Sequence, residues 1–76
     1  MGDRITVHVI PAGPDEWELL RTNERRGRLF ASKREAIQEG RRITGAFPES
    51  ELVIHDERGG VERRRAYRGP DRRVSR

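Results

Sequence analysis

The 76-residue chain has no cysteine, two histidines and few aromatic residues: one Trp, one Tyr and two Phe. Without cysteine it can form neither a disulfide framework nor a thiolate zinc site. Two histidines alone are too few for a structural metal, so we expect no metal or other cofactor. No apolar stretch is longer than about six residues, far short of a membrane span, and no charged-then-apolar leader begins the chain. These absences predict a small cytoplasmic protein without membrane contact.

The positive charge is concentrated at the C-terminal end. Residues 1–57 hold nine Lys or Arg against eleven Asp or Glu, whereas residues 58–76 hold eight Arg against two acids. A basic terminal segment is typical of proteins that bind phosphates or acidic protein surfaces. Sixteen of the 17 basic residues are Arg, whose planar fork suits phosphate. A GC-rich genome would produce the same bias without selection for binding, so both interpretations stay open.

The N-terminal half predicts a hairpin and a short third strand. Residues 5–10 are mostly β-branched and alternate in polarity, which predicts a strand with one strongly apolar face. Residues 11–15 contain two prolines and a glycine and predict a turn. Residues 16–21 predict the second strand of the hairpin. After a polar turn, residues 28–31 predict a short third strand.

A helix is predicted over residues 33–44. Ser32 and Glu35 have capping-box spacing, which marks its start. The core-facing stripe contains Ala36, Ile37, Gly40, Ile43 and Thr44, and the polar face contains Arg34, Gln38, Arg41 and Arg42. Gly40 is expected to allow close approach of the helix to the sheet. Gly45 is expected to end the helix in the left-handed conformation.

The C-terminal half predicts two more strands and completes the fold. Residues 51–55 predict a strand with Leu52 and Ile54 on one face, and residues 61–67 predict a return strand after a turn that contains Gly59 and Gly60. The last strand has no clean apolar face, so it is expected at the sheet edge, where charge opposes edge-to-edge pairing. The order ββ(β)αββ predicts an α+β two-layer sandwich, one helix on an antiparallel sheet of four or five strands. Residues 1–67 would form this single domain and residues 68–76 a basic, flexible tail.

The alternation also predicts one buried cluster: Ile5, Val7, Val9, Trp17, Leu19, Ile37, Ile43, Leu52 and Ile54. Trp17 is assigned to this core rather than to an exposed stacking platform, because it shares its strand face with Leu19.

The chain shows no catalytic motif. His8 and His55 both lie in predicted strands, each on the less apolar face, and they would come within reach if the first and fourth strands are neighbours. A metal site or an acid–base pair is one interpretation, and two half-exposed strand histidines are the other. The second is favoured because the spacing supplies no third ligand or carboxylate. We therefore expect neither an enzyme nor a small-molecule substrate.

The favoured function is a non-enzymatic module that binds nucleic acid through C-terminal arginines. The candidate residues are Arg63, Arg64, Arg65, Tyr67, Arg68, Arg72 and Arg73, with Arg34, Arg41 and Arg42 on the helix. The alternative is a regulatory module that binds an acidic protein partner or forms a homodimer. One contiguous basic face would favour nucleic acid, whereas arginines paired with Glu18, Glu51 or Glu62 would favour a protein partner.

Four features of the chain resemble a small bacterial family known only as a domain of unknown function, number 2188 in that series. They are a V-H-V-x-P opening (Val7 to Pro11), Trp17, a Ser-Lys-x-Glu-Ala helix start (Ser32 to Ala36), and an L-V-x-H strand (Leu52 to His55) followed by Gly59 and Tyr67. The family's Y-G-x-D-P-R ending corresponds loosely to residues 67–72. The resemblance implies the fold predicted above and brings no known activity or catalytic residue.

Overall fold

The computed structural model describes residues 5–47 and 49–67, and of Tyr67 only the backbone. Within them the elements are β1 (Ile5–Gly13), β2 (Glu16–Arg21), β3 (Arg28–Phe30), α1 (Lys33–Ala46), β4 (Ser50–His55) and β5 (Val61–Tyr67). The predicted order and the α+β class are confirmed. The predicted flexible tail, residues 68–76, lies outside the described part of the chain.

The five strands form one sheet in the order β3-β2-β1-β4-β5. Three pairs are antiparallel, but β1 and β4 are parallel, so the prediction of a wholly antiparallel sheet is wrong at this pair. The helix explains the difference. It returns the chain to the end of the sheet where β1 begins, so β4 starts there and runs in the same direction as β1.

The first strand is longer than the alternation predicts. It continues through Pro11, which pairs with Trp17, and reaches Gly13 across an irregularity in the register. Only residues 5–9 of β1 pair with β4, so Pro11 lies where β1 is bordered by β2 alone. A residue without an N–H is tolerated at such an edge position. The turn is therefore reduced to two residues, of which Asp15 has a φ of 59°.

The helix begins as predicted but ends two residues later. Ser32 Oγ accepts a hydrogen bond from the Glu35 N–H at 3.2 Å, while within the described residues Glu35 makes no return bond to Ser32. Gly45 continues the helix, and extended Phe47 caps it, with its N–H donating to the Thr44 carbonyl. Phe47 precedes a proline, and a residue before proline avoids the helical region. That restriction, rather than a left-handed glycine, ends α1.

The core lies between α1 and one face of the sheet. Its buried residues are Val7, Val9, Leu19, Ala36, Leu52 and Ile54, with Ile5, Trp17, Phe30, Ile37 and Ile43 packed against them. All nine predicted core residues belong to this set, and Trp17 is confirmed as a core residue. A Cβ at Gly40 would approach Leu52 Cδ1 to 2.7 Å, which confirms the expected close approach of helix and sheet. The other sheet face carries no helix and is called the open face.

Across residues 5–47 and 49–67, no helix has the length and apolar character needed to cross a bilayer.

Candidate nucleic-acid interface

The three consecutive arginines of β5 are divided between the two faces of the sheet. Arg63 pairs with Ile54 and Arg65 pairs with Leu52, so both share the helix-covered face with these core residues. Arg64 pairs with Val53 and lies on the open face. Residues directly opposite each other on paired strands lie on the same side, and neighbours along a strand alternate. The run of arginines is therefore not one basic patch.

The helix turns one flank toward β3 and the other toward β5. Glu39 forms an ion pair with Arg28 of β3, which identifies the β3 flank. Arg34 and Arg41 lie on the other side of the helix axis, about 150° from Glu39 at 100° per residue. Near the start of α1, Lys33 forms an ion pair with Glu62 of β5. Arg34 and Arg41 therefore lie on the flank that faces β5.

Arg34, Arg41, Arg63 and Arg65 together form what we call the α1–β5 strip. All four side chains are exposed. The two elements run in the same direction, since α1 begins beside Glu62 near the start of β5 and ends where Ser50 Oγ donates to the Thr44 carbonyl. Helical rise separates Arg34 from Arg41 by about 10 Å along the axis. Strand rise separates Arg63 from Arg65 by about 7 Å.

Two of the other predicted interface residues, Arg64 and Arg42, lie outside this strip. Arg64 donates to Glu51 Oε2 at 3.1 Å on the open face. Arg42 lies on the β3 flank, where its Nε donates to Glu39 Oε1 at 3.1 Å and lowers the pKa of that carboxyl. The backbone of Tyr67 pairs with Ser50. Arg68, Arg72 and Arg73 lie outside the described residues.

A second arginine cluster was not predicted. A cleft of about 450 Å³ on the β3 flank is lined by Leu19, Arg21, Glu24, Arg26, Gly27, Arg28, Glu39, Arg42 and Ile43. Glu39 pairs with two of its arginines, and Arg21 lies over the Phe47 ring. Two carboxylates therefore lie among the four arginines of this cleft and partly neutralise its charge. The closely spaced arginines of residues 25–28 were the sequence signal for it.

The two histidines meet on the open face, as their strand positions predict when β1 and β4 are neighbours. His8 Nδ1 lies 3.1 Å from His55 Nε2, and His55 Nδ1 lies 3.0 Å from the Gly59 carbonyl oxygen. A carbonyl can only accept, so His55 Nδ1 carries a proton and donates it. In the neutral pair, His55 Nε2 is then an acceptor and His8 Nδ1 is its donor. The sheet thus holds both imidazoles in one defined tautomer.

The free energy of unfolding is expected to fall as the pH drops from 7.5 to 5.5. Burial and the neighbouring His55 lower the pKa of His8 from its usual 6.5, Glu51 raises it, and Arg64 lowers it. The folded state therefore disfavours a proton on His8, whereas the unfolded chain takes one up near pH 6.5. The contribution of neutral His8 to the free energy of unfolding is present above that pH and is lost as the pH falls below it. Denaturant unfolding at both pH values, with a chelator present, measures the effect. A His8→Asn variant should show a smaller decrease, and an equal decrease would contradict the assignment.

The sequence model of a bacterial family, DUF2188, described as an uncharacterized protein conserved in bacteria, matches residues 7–67. No curated protein and no solved structure matches the chain.

Proposed function

Since this chain belongs to the DUF2188 family of uncharacterized bacterial proteins, we propose a function from its own surface: a non-enzymatic module that binds nucleic acid through the α1–β5 strip. The observation that carries the proposal is the convergence of Arg34 and Arg41 with Arg63 and Arg65 along one border of the helix layer.

The local arrangement of charge supports a phosphate partner. Of the 17 basic and 13 acidic residues, 12 and 11 lie within residues 5–47 and 49–67, so this region is nearly neutral overall. The carboxylates of Glu39, Glu51 and Glu62 pair with cations outside the strip. The strip itself brings four guanidinium groups to one border of the helix layer. Such groups present planar donor forks that suit phosphate oxygens.

The strip favours binding without base specificity. Phosphate contacts carry no sequence information, and base readout needs groups that reach base edges or stack on bases. Trp17 is half-buried against the core, and Lys33 lies over its ring, 5.1 Å from the centroid. No aromatic side chain among those described belongs to the strip. We therefore expect similar affinity for unrelated sequences.

The proposal contains no catalytic step. The strongest acid–base candidates, His8 and His55, hydrogen-bond each other on the opposite face of the sheet from the strip. The sheet would therefore separate both imidazoles from a strand bound along the strip.

A protein-interaction or homodimerising module is the second candidate, and two ion pairs favour it. Arg64 pairs with Glu51, and Lys33 pairs with Glu62, so part of the basic charge near β5 is neutralised within the chain. The edge strand β5 is seven residues long and could pair with a strand of an acidic partner or a second copy.

Affinity for nucleic acid should fall steeply with salt, and removal of the strip should flatten that dependence. Each arginine–phosphate contact releases condensed counterions and contributes about 0.7–0.9 to the log–log slope. A variant with glutamine at Arg34, Arg41, Arg63 and Arg65 should therefore lose a slope of about 3. Fluorescence anisotropy with labelled single-stranded and duplex oligonucleotides of unrelated sequence, at several salt concentrations, measures the slope.

A matched variant separates the strip from net charge. Glutamine at Arg25, Arg26, Arg28 and Arg64 removes the same charge from positions outside the strip. This variant should keep the wild-type salt slope. Its affinity should show only a small general decrease. Equal losses in both variants would show that the strip is not the site. Absence of wild-type binding at low salt would exclude the nucleic-acid function and leave the protein-interaction candidate.

A further inference from the structure

We propose that His8 and His55 form a two-histidine chelate on the open face for one divalent late transition-metal ion, Cu²⁺, Ni²⁺ or Zn²⁺. The site is separate from the α1–β5 strip and does not depend on the proposed function.

The distance between the two ring nitrogens suits a shared ion. His8 Nδ1 and His55 Nε2 are 3.1 Å apart. Two imidazole nitrogens at about 2.0–2.1 Å from one ion, with an angle near 90–110° between them, lie about 2.9–3.4 Å apart. The ion would replace the hydrogen bond between the rings at the same nitrogen–nitrogen separation. It would lie off the line that joins the two nitrogens, so each ring would tilt toward it.

His55 already has the tautomer of a metal-ligating histidine. Its Nδ1–H donates to the Gly59 carbonyl, so Nε2 is unprotonated and its lone pair is available to an ion. Metal-ligating histidines commonly donate their other ring N–H to a carbonyl or carboxylate, which fixes the tautomer. The Gly59 carbonyl is itself held in place: Asp56 Oδ1 accepts from the Arg58 and Gly60 amides, both at 2.9 Å, and closes the β4–β5 turn.

His8 must also change its tautomer. In the metal-free pair its Nδ1 carries the proton, and ligation requires that the proton occupy Nε2 instead. Neutral imidazole exchanges between these tautomers without a change in net charge. The backbone is fixed, because His8 pairs with Val53 in the parallel β1–β4 ladder and His55 follows two residues later on the same face. Val53, only 1% exposed, lies buried at this position in the sheet.

Two nitrogen ligands determine which ions can bind. Among the described residues, no group of three or more His, Asp or Glu side chains could hold a metal, so water would complete the coordination. Imidazole favours Cu²⁺, Ni²⁺ and Zn²⁺, with Cu²⁺ bound most tightly, whereas Mg²⁺ and Ca²⁺ prefer oxygen ligands. The nearby Arg64 guanidinium pairs with Glu51, which reduces its repulsion of a cation.

Isothermal titration calorimetry of the untagged chain with CuCl₂, NiCl₂, ZnCl₂ and MgCl₂ tests the chelate. We expect one ion per chain, the affinity order of the first three ions to follow Cu²⁺ above Ni²⁺ and Zn²⁺, and no binding of Mg²⁺. His8→Asn and His55→Asn should each lower the Ni²⁺ affinity at least tenfold, since each leaves one ligand. Thr6→Asn is the matched control, because Thr6 lies on the same face of β1 as His8. This substitution should leave the Ni²⁺ affinity unchanged.

A second measurement does not depend on the folding of any variant. In the ¹⁵N spectrum of the wild-type imidazoles, Zn²⁺ should shift His8 Nδ1 and His55 Nε2 together, and His55 Nδ1 should remain protonated. Full Ni²⁺ affinity in either single variant would overturn the chelate. Zn²⁺-dependent shifts confined to one histidine would overturn it equally.

Discussion

Replacing Leu52 by alanine is expected to lower the free energy of unfolding by about 2–5 kcal/mol. Leu52 is 1% exposed at the centre of the sheet, where it pairs with Val7 and packs beneath Gly40. The deletion removes buried methyl groups, and the rigid layers on both sides cannot close the space. A domain of this size is marginally stable, so the variant should be largely unfolded.

Urea denaturation followed by circular dichroism measures this effect, and Leu29→Ala is the control. Leu29 is 56% exposed on β3, so its removal should change the unfolding free energy by less than about 0.5 kcal/mol. Similar losses for the two variants would contradict the placement of the core.

Substitution of Gly40 tests the same packing of the helix against Leu52. In the wild-type background Gly40→Ala should destabilise, because its Cβ would lie 2.7 Å from Leu52 Cδ1 and 3.3 Å from Leu19 Cδ1. In the Leu52→Ala background the first obstacle is gone, and the helix propensity of alanine becomes available, worth about 1 kcal/mol. A double-mutant cycle should therefore show favourable coupling between the two substitutions.

Replacing Gly27 by alanine is expected to destabilise the chain by about 3 kcal/mol, at the upper end of the cost of overpacking. A Cβ at this position would overlap the carbonyl oxygen of Leu19 and lie 2.6 Å from its carbonyl carbon. Both atoms are backbone and cannot rotate away. The Gly27 N–H also donates to Glu18 Oε2 at 2.6 Å, so a shift of the loop would break this bond.

Gly45→Ala is the matched control for Gly27. Gly45 lies near the C-terminal end of α1, and a Cβ there would meet no atom within 4 Å. Alanine should be neutral or stabilising by up to about 1 kcal/mol. Thermal unfolding of both variants separates the two positions, and equal melting temperatures would show that the approach of Gly27 to β2 is not required for stability.

The two proposed sites lie on opposite faces of the sheet. The α1–β5 strip borders the helix, whereas His8 and His55 lie on the open face. Substitutions in one site should therefore leave binding at the other unchanged. The nucleic-acid titration of the His8→Asn variant and the Ni²⁺ titration of the strip variant test this independence.

Local patterns in the sequence were sufficient for the elements and the core. Alternation predicted the strands in residues 5–10, 16–21 and 51–55, and the Gly59-Gly60 turn predicted the return strand in residues 61–67. Ser32 predicted the first residue of the helix. These signals depend on side-chain direction and on backbone preferences of near neighbours, so they need no knowledge of the fold. The nine predicted core residues were all confirmed for the same reason.

Strand direction and the end of the helix needed more than these patterns. Alternation is the same in parallel and antiparallel strands, so the parallel pairing of β1 with β4 was missed. Pro11 and Gly45 have strong local preferences against strand and helix, yet both lie inside regular elements. Pro11 lies beyond the end of the β1–β4 ladder, where a residue without an N–H leaves no ladder bond unmade. Gly45 stays helical because the proline after Phe47, and not the glycine, ends the helix.

The arrangement of charge was decided by the tertiary structure. The sequence located the arginines of β5 and α1. Only strand register shows that Arg64 and Arg63 lie on different faces of the sheet, and only packing shows that Arg41 and Arg42 lie on different flanks of the helix. The sequence separation of 47 positions between His8 and His55 likewise gives no local signal for a 3.1 Å contact. Periodicity determines the face on which a side chain lies, whereas the distance between two such faces depends on how distant strands pair.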